Sequence, residues 1–565
     1  MGYGATRSLE RVAAAMGALE AAPIVFEAAR DIPQGGGLLA LPALVAVGLL
    51  RHSAELYTLP KGFYGLSSVL VLLALMALAR IASIEQLRYA AAGEWGNLLG
   101  LDRIPEVRTL REKLKQLCTE MGRAGRWNAA LAKEWISQQE TEQSCGLAFY
   151  IDGHVRVYHG ELTKLPRHYV PRERFYLRAT TDYWVNALDG QPFCYVNQAV
   201  DHGLVQAIRG DILPWLEGNV PLSAEHRERM AADPRVPRFT VIFDHEGYSP
   251  ELFLELKKAR IAALTYYRYP DGEDWRAEEF QEQAVKLASG DTVRMKLAER
   301  GTYVGKRPGL WVREVRKLAA DGHQVSIVST NFTGDAALQA AALIACWSQE
   351  NYFKYMRGHF GLDALVQYGT EEIPATVTVL NPAWRKLDRE VRKKHAERKS
   401  LQQLQQNVGL TQPLSEAAVR HYEQLQEEML QPALDQLKQR RKQTPRQIPV
   451  QQLPEAEHFA RLCTERKYFL DTIKMIAYRA ETSMASTVRE KLKRSDDARA
   501  LLRQVYHTEV DLMPDLQAKT LTVCLHRLTQ AVHDTAVRYL CEELTATETI
   551  FPGTDLRLVY KLGSA

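Results

Sequence analysis

Three acidic residues stand where a carboxylate is hard to explain as ordinary surface. Asp152 interrupts the β-patterned run "LAFYIDGHVRVYHG", Asp244 ends the apolar run "FTVIFD", and Glu350 lies within "AALIACWSQENYFKYMRGHF", a helical stretch that follows a strand. Any one of them alone reads as a helix cap or a satisfied edge group. In the order strand, strand, helix they form a constellation. Three carboxylates brought together repel one another and keep protons unless cations relieve them. Two Mg2+ ions about 4 Å apart, with Mn2+ able to substitute, would relieve that repulsion and build a site for in-line displacement at a phosphodiester. One metal would activate a water or a 3′-hydroxyl and the other would stabilise the leaving oxygen. Asp152, Asp244 and Glu350 are therefore assigned as both catalytic residues and metal ligands.

The elements that must position these acids come from an α/β pattern. From residue 146 the hydrophobic period is two: "LAFYIDGHVRVYHG" predicts a hairpin turning at Gly153, "PFCYVNQAV" (192–200) a third strand, "RFTVIFDHEGYS" (238–249) a fourth and "IAALTYYRY" (261–269) a fifth. Helices lie between them, most plainly at 250–259, so residues 136–270 read as the first part of a mixed-sheet core. Residues 271–325 break the pattern with charged alternation, "DTVRMKLAERGTYV" and "GLWVREVRKLA", and predict a small, basic, β-rich insertion. The core resumes over 326–372 with "HQVSIVSTNF" and a long helix from about Gly334 to Tyr355.

The flanks are helical. Residues 1–80 predict a helical domain with an apolar core. Over 81–135, Ser83 and Gln86 have capping-box spacing, and Pro105 marks the expected first turn of a helix carrying Arg108, Arg111, Lys113 and Lys115. Short helix, turn, basic helix is a helix-turn-helix pattern for DNA, with a solvated helix pair as the plain alternative. Residues 373–565 read as a basic helical region: 381–400 holds eight Lys/Arg against three acids, "KQRRKQTPRQIP" (438–449) reads as a linker, helices fill 456–546, and "FPGTDLRLVYKLG" predicts a terminal strand.

Composition sets the bounds. A chain of 565 residues exceeds one compact core, and 46% hydrophobic with 25% charged residues describes a globular protein. The formal net charge of +4 neither requires nor excludes nucleic acid. Seven scattered cysteines without a CxxC pair argue against a disulfide framework and a structural zinc site, and fit a reducing cytosol. No signal peptide is read at the N-terminus. Two uncharged segments, 35–50 and 62–79, read as buried helices, with a transmembrane hairpin as the alternative.

At these residues the chain resembles the insertion-sequence transposases with an RNase H-like DDE core. The resemblance runs over nearly the whole length, through "GEWGNLLGLDRIPEVRTLREKL", "YIDGHVRVYHG", "VIFDHEGYSPELF", "SQENYFKYMRGHFGLDALVQYG", "ERKYFLDTIKMIAYRAET" and "ATETIFPGTDLRLVYKL". It implies a DDE-type DNA transposase of the bacterial cytoplasm, associated with the nucleoid. Such an enzyme cleaves at the element's ends and transfers the 3′-hydroxyl into target DNA. Asp152, Asp244 and Glu350 fall at the DDE positions. The partners implied are terminal inverted repeats and target DNA, with a homodimer or higher assembly on DNA and no membrane. Arg108, Arg111 and Lys113 are candidate DNA contacts, as are Lys354 or Arg357 on the glutamate helix. Trp311 in the insertion is a candidate for stacking on a flipped base. Two positions depart from the pattern: Cys346 stands where an arginine is expected four residues before the glutamate, and His245 where one is expected after the second aspartate. An RNase H-like nuclease without strand transfer and a DNA-binding derivative without catalysis remain the alternatives.

Overall fold

The computed structural model describes the chain except residues 1–5, 143–146, 162, 171–172, 269, 271–273, 287–291, 306–308, 345–346, 365, 367–368, 375–376, 412–416, 418–429, 455–457, 493, 495–496, 529–532 and 564–565. It is a mixed α/β structure. Near the N-terminus a short strand, β1 (Ala29–Ile32), leads into the first apolar segment, which folds as a buried 3-10 turn, Gly35–Ala40, and a helix, Leu41–Val47. The second apolar segment supplies the helix Leu66–Leu78, buried from Ser68 to Leu78. A helix that is apolar all round must be covered all round. Here the long helix Glu465–Arg489 packs on it, so N- and C-terminal segments share a core. No described helix is long and apolar enough to cross a membrane.

The main sheet contains β2 (Ala148–Val157), β3 (Arg167–Val170), β4 (Phe175–Asn186), β5 (Pro192–Gln198), β6 (Phe239–Phe243), β7 (Ile261–Tyr266), β8 (Gln281–Lys286), β9 (Thr292–Val304), β10 (Leu310–Leu318) and β11 (Gln324–Ser329). Their order is β3-β4-β2-β6-β7-β11-β10-β9-β8, with β5 also on β4. β2 is antiparallel to β4 and parallel to β6, and β6 is parallel to β7. It is therefore the strand at which the antiparallel and parallel halves meet.

Two expectations change here. There is no hairpin at Gly153: β2 runs straight through it, and its antiparallel partner is β4. Gly153 serves packing instead, since a Cβ there would meet the Tyr183 ring at 3.0 Å. The strands expected of a separate insertion, β8 to β10, instead extend the main sheet through β11. The expected long helix is helical over Ala336–Ile344 and Trp347–Phe360, with residues 345–346 outside the described residues.

Beyond the core lie four short strands, β12 (Thr370–Glu371), β13 (Thr378–Leu380), β14 (Gln447–Pro449) and β15 (Arg461–Leu462), paired β12 with β15 and β13 with β14. Between β13 and β14 the helix Pro382–Thr411 packs along Gln431–Gln443, pinned by an Arg441–Asp388 ion pair of 2.7 Å. The stretch 438–449 is thus not a linker but the end of that second helix followed by β14. The C-terminal region is not wholly helical either. β16 (Val510–Asp515), β17 (Thr520–Leu525) and β18 (Arg557–Leu562) join β1 in a second sheet ordered β1-β16-β17-β18. The predicted terminal strand is β18. The five described cysteines are all free.

Candidate active site

The register of two neighbouring strands sets Asp152 and Asp244 side by side. Ile151 of β2 is the parallel partner of Phe243 of β6, and each is followed immediately by an aspartate. β6 ends at Phe243 while β2 continues to Val157, so Asp244 leaves the sheet where β2 carries on. Adjacent strands lie about 4.8 Å apart, which fixes how far these two residues can separate at their backbones. Asp152 is held by the Gly153 amide, which donates to its Oδ1 at 2.7 Å. Asp244 Oδ1 accepts from the Glu246 amide at 2.8 Å and caps a one-turn 3-10 helix, His245–Gly247. The Asp244 carbonyl accepts from the buried Thr265 hydroxyl of β7 at 3.0 Å.

Glu350 lies in the first turn of the helix Trp347–Phe360 and is exposed. Apolar and polar contacts lay that helix over the Asp152 face of the sheet. Phe353, one turn after Glu350, stacks on His154 at 5.1 Å, and His154 is two residues beyond Asp152 on the same face of β2. Tyr352 is fully buried against Trp184, the residue opposite Asp152 on β4. Tyr355 donates to Glu481 of the helix Glu465–Arg489. At the helix end, Lys474 Nζ donates to the Gly361 carbonyl at 3.1 Å and Lys467 Nζ to the Leu362 carbonyl at 3.0 Å.

The electrostatics register this convergence. Burial pushes the Asp152 carboxyl up to about 7, and the charge of Asp244, followed by those of Glu246 and Glu350, adds to the shift. Glu246 is itself raised by burial and by Asp201 and Asp244. No Lys, Arg or His among the described residues lies within 4 Å of the carboxylates of Asp152, Asp244 or Glu350. The three do not form a set whose ligand atoms all lie within 4.8 Å of one another; among the described residues only Asp31, Glu509 and His526 do.

Glu246 was missed in the sequence. Its signal was the second acid in "FDHEG", two residues after Asp244, and its charge adds to the upward shift of Asp152. Behind it Asp201 accepts from Tyr183 at 2.7 Å and from the Gly203 amide at 2.8 Å.

The remaining candidates are scattered. Lys354 is exposed on the same helix face as Glu350, whereas Arg357 pairs with Asp363 at 3.2 Å. Trp311 is half exposed on β10 with its ring 4.7 Å from that of Tyr303, its cross-strand partner. It stands three strands from β6, or about 14 Å across the sheet. On the helix Val107–Leu117, which starts two residues after Pro105 with Glu106 at its cap, Arg108 is exposed, Arg111 pairs with Glu85, and burial lowers Lys113. The Ser83–Gln86 capping box forms as expected. His245 is exposed beside the Tyr266 ring at 5.0 Å, and Cys346 lies outside the described residues.

Against known proteins, no curated protein matches the chain. A family model described as a transposase protein, Transposase_29, matches residues 2–564. With nearly every residue inside that match, the chain belongs to the Transposase_29 family of transposases.

Proposed function

We propose that this transposase is of the DDE type, with an RNase H-like core in which Asp152, Asp244 and Glu350 bind two Mg2+ ions. The observation that carries the reading is the pairing of Ile151 with Phe243, which puts an aspartate at the exit of each of two adjacent parallel strands. The strand order β5-β4-β2-β6-β7, antiparallel then parallel about β2, supports an RNase H-like arrangement. The β-rich extension β8–β10 would serve as the insertion that holds DNA, with Trp311 as its stacking ring.

The residues suit the metal. Asp152, Asp244 and Glu350 offer hard carboxylate oxygens, the ligand set Mg2+ prefers, and among the described residues no cation pairs with them. When bound, the ions would neutralise charge at the attacking and leaving oxygens. The chain's own groups supply the rest. The β2–β6 register fixes the spacing of the two aspartates, Phe353 on His154 holds the glutamate helix over them, and Lys354 faces the same solvent as Glu350 to meet a phosphate. Water or a DNA 3′-hydroxyl would pass its proton to a carboxylate or to solvent and form the new O–P bond as the bond from phosphorus to the displaced 3′-oxygen breaks in line. The helix Val107–Leu117, read as part of a helix-turn-helix, and the basic helices Pro382–Thr411 and Gln431–Gln443 would grip the element's ends through phosphates. Because two ends react together, a homodimer or higher assembly on DNA is the working unit.

The test is Mg2+-dependent nicking of a plasmid carrying the gene's flanking DNA by wild type and by Asp152→Asn, Asp244→Asn and Glu350→Gln. All three variants should fall to background while keeping DNA binding. Full cleavage by any one of them would remove the proposed site. Joining of a pre-cleaved oligonucleotide end to a second DNA separates transposition from nuclease action alone.

A further inference from the structure

We propose that the β3–β4 hairpin is a second DNA contact, a platform for unpaired bases beside the cleavage site; this rests on the reading of the chain as a DDE transposase. Three aromatic side chains crowd the hairpin in the open: Tyr169 is 47% exposed, Phe175 69% and Tyr176 66%. Tyr169 and Tyr176 are cross-strand partners with ring centroids 5.3 Å apart. Exposed rings in one place mark an interaction surface.

Charge selects the partner. Arg167 faces Arg178 directly across the strand pair, and Arg174 projects from the turn with a positive φ of 54°. None of the three has an acid within salt-bridge distance among the described residues. Like charges placed opposite one another on a sheet destabilise it. An anion between them converts that cost into attraction. Only Glu173 opposes them in the described stretch 173–178. Arginines interleaved with exposed rings fit a polyanion that also carries flat faces, and single-stranded DNA is such a partner.

Position makes the contact useful. β4 runs antiparallel to β2, so from Trp184, opposite Asp152, it leads toward the side where Asp244 leaves the sheet. Tyr176 lies eight residues further, roughly 27 Å at the rise of a strand. At 3.4 Å per nucleotide that is roughly eight nucleotides from the phosphate at the acids. By the alternation of the pleat, Tyr176, Arg178, Tyr169 and Arg167 share the face that carries Asp152. Between Asp152 and the hairpin that face is covered, with Trp184, Asp182 and Thr180 buried, so DNA reacting at the acids would meet the hairpin beyond that cover.

The experiment uses the full chain and a 20-nucleotide single strand carrying 2-aminopurine, with its duplex as control. Wild type should quench the fluorophore. The combined variant Tyr169→Ser, Phe175→Ser and Tyr176→Ser should lose that quench and bind the single strand about tenfold or more weakly. The combined variant Arg167→Gln, Arg174→Gln and Arg178→Gln should bind more weakly, with a salt slope smaller by roughly 2. Matching urea midpoints and circular dichroism confirm that both variants fold. Wild-type binding by both, or a change in self-association with binding intact, would overturn the platform. Asp152→Asn separates the two ideas: it should bind the oligonucleotide normally and fail to nick. If it nicks normally the catalytic assignment fails, and the binding comparison still decides the hairpin.

Discussion

Replacing Asp152 by asparagine should stabilise the metal-free protein while removing its catalysis. Asp152 is half-buried beside three other acids, and these surroundings push its carboxyl up to about 7 in the folded chain, against about 3.9 when unfolded. A folded pKa above the unfolded one means that the folded state binds the extra proton. The protonated acid is fully accommodated below pH 4, and stability is lost as pH rises from there to about 7. Integrating between those values gives a cost on the order of 1 kcal/mol at pH 5 and a few kcal/mol at pH 8. Asparagine cannot ionise, so Asp152→Asn should gain roughly those amounts, with almost no difference at pH 3. The assay is urea unfolding of both proteins at pH 5 and pH 8, in chelator and in 10-fold steps of Mg2+. Magnesium should raise the wild-type midpoint at pH 8 through binding linkage and leave Asp152→Asn nearly unmoved. Equal stability of the two proteins at pH 8 in chelator would refute the burial argument. Equal response to Mg2+ would refute the role of Asp152 as a ligand.

Other perturbations probe the frame around the site. Glu481 is fully buried and accepts from Arg80, Tyr355 and Arg499, so Glu481→Ala leaves two half-buried guanidiniums without their carboxylate. It should cost about 3–5 kcal/mol in urea unfolding. On the helix Val107–Leu117, Arg108→Ala should reduce the salt slope of duplex binding by about 0.9, and Arg111→Ala by less because its guanidinium is engaged by Glu85. Fluorescence anisotropy at several NaCl concentrations separates the two. Trp311→Ala should change stability by no more than about 0.5 kcal/mol, since the ring is half exposed, yet weaken cleavage of end DNA.

What the sequence revealed follows the range of the interaction. Local patterns were legible: the period-two runs at β2, β5, β6 and β7, the Ser83 capping box, the terminal strand, and acids at the ends of apolar runs. Long-range pairing was not. Nothing in "DTVRMKLAERGTYV" indicates that β9 will be linked through β10 and β11 to β7 rather than folding apart. β1 is four residues long, and its partner β16 lies nearly five hundred positions away, so no local signal marks that sheet. Gly153 misled for a different reason. In sequence a glycine after an aspartate signals a turn, whereas in the fold it makes room for the Tyr183 ring. At the acids, periodicity marked the strands beside Asp152 and Asp244. It could not supply the strand register, and Glu246 went unseen because a one-turn helix has no period.

The helix Glu465–Arg489 explains why the acids of the middle of the chain depend on its end. Its polar residues look like a solvated face in sequence, yet Glu465, Lys467, Asp471, Lys474, Arg479 and Glu481 are all buried. Most of them reach other elements, while Asp471 pairs with Lys467 and Lys474 of the same helix. Glu465 accepts from the Gly122 and Ala124 amides at 2.7 and 2.6 Å, capping the helix Arg123–Glu142. Arg479 donates to the Pro192 carbonyl at the start of β5, and Lys467 and Lys474 hold the end of the glutamate helix. Buried charges of this kind add little net stability but reward only one arrangement of their partners, a use best treated as registry. A chain ending at residue 372 would leave the Gly361 and Leu362 carbonyls without those donors and the apolar helix Leu66–Leu78 without its cover. Such a fragment should keep strand content by far-ultraviolet circular dichroism, bind an apolar dye, and lose Mg2+-dependent nicking. A cooperative, active fragment would show instead that the sheet alone seats Glu350.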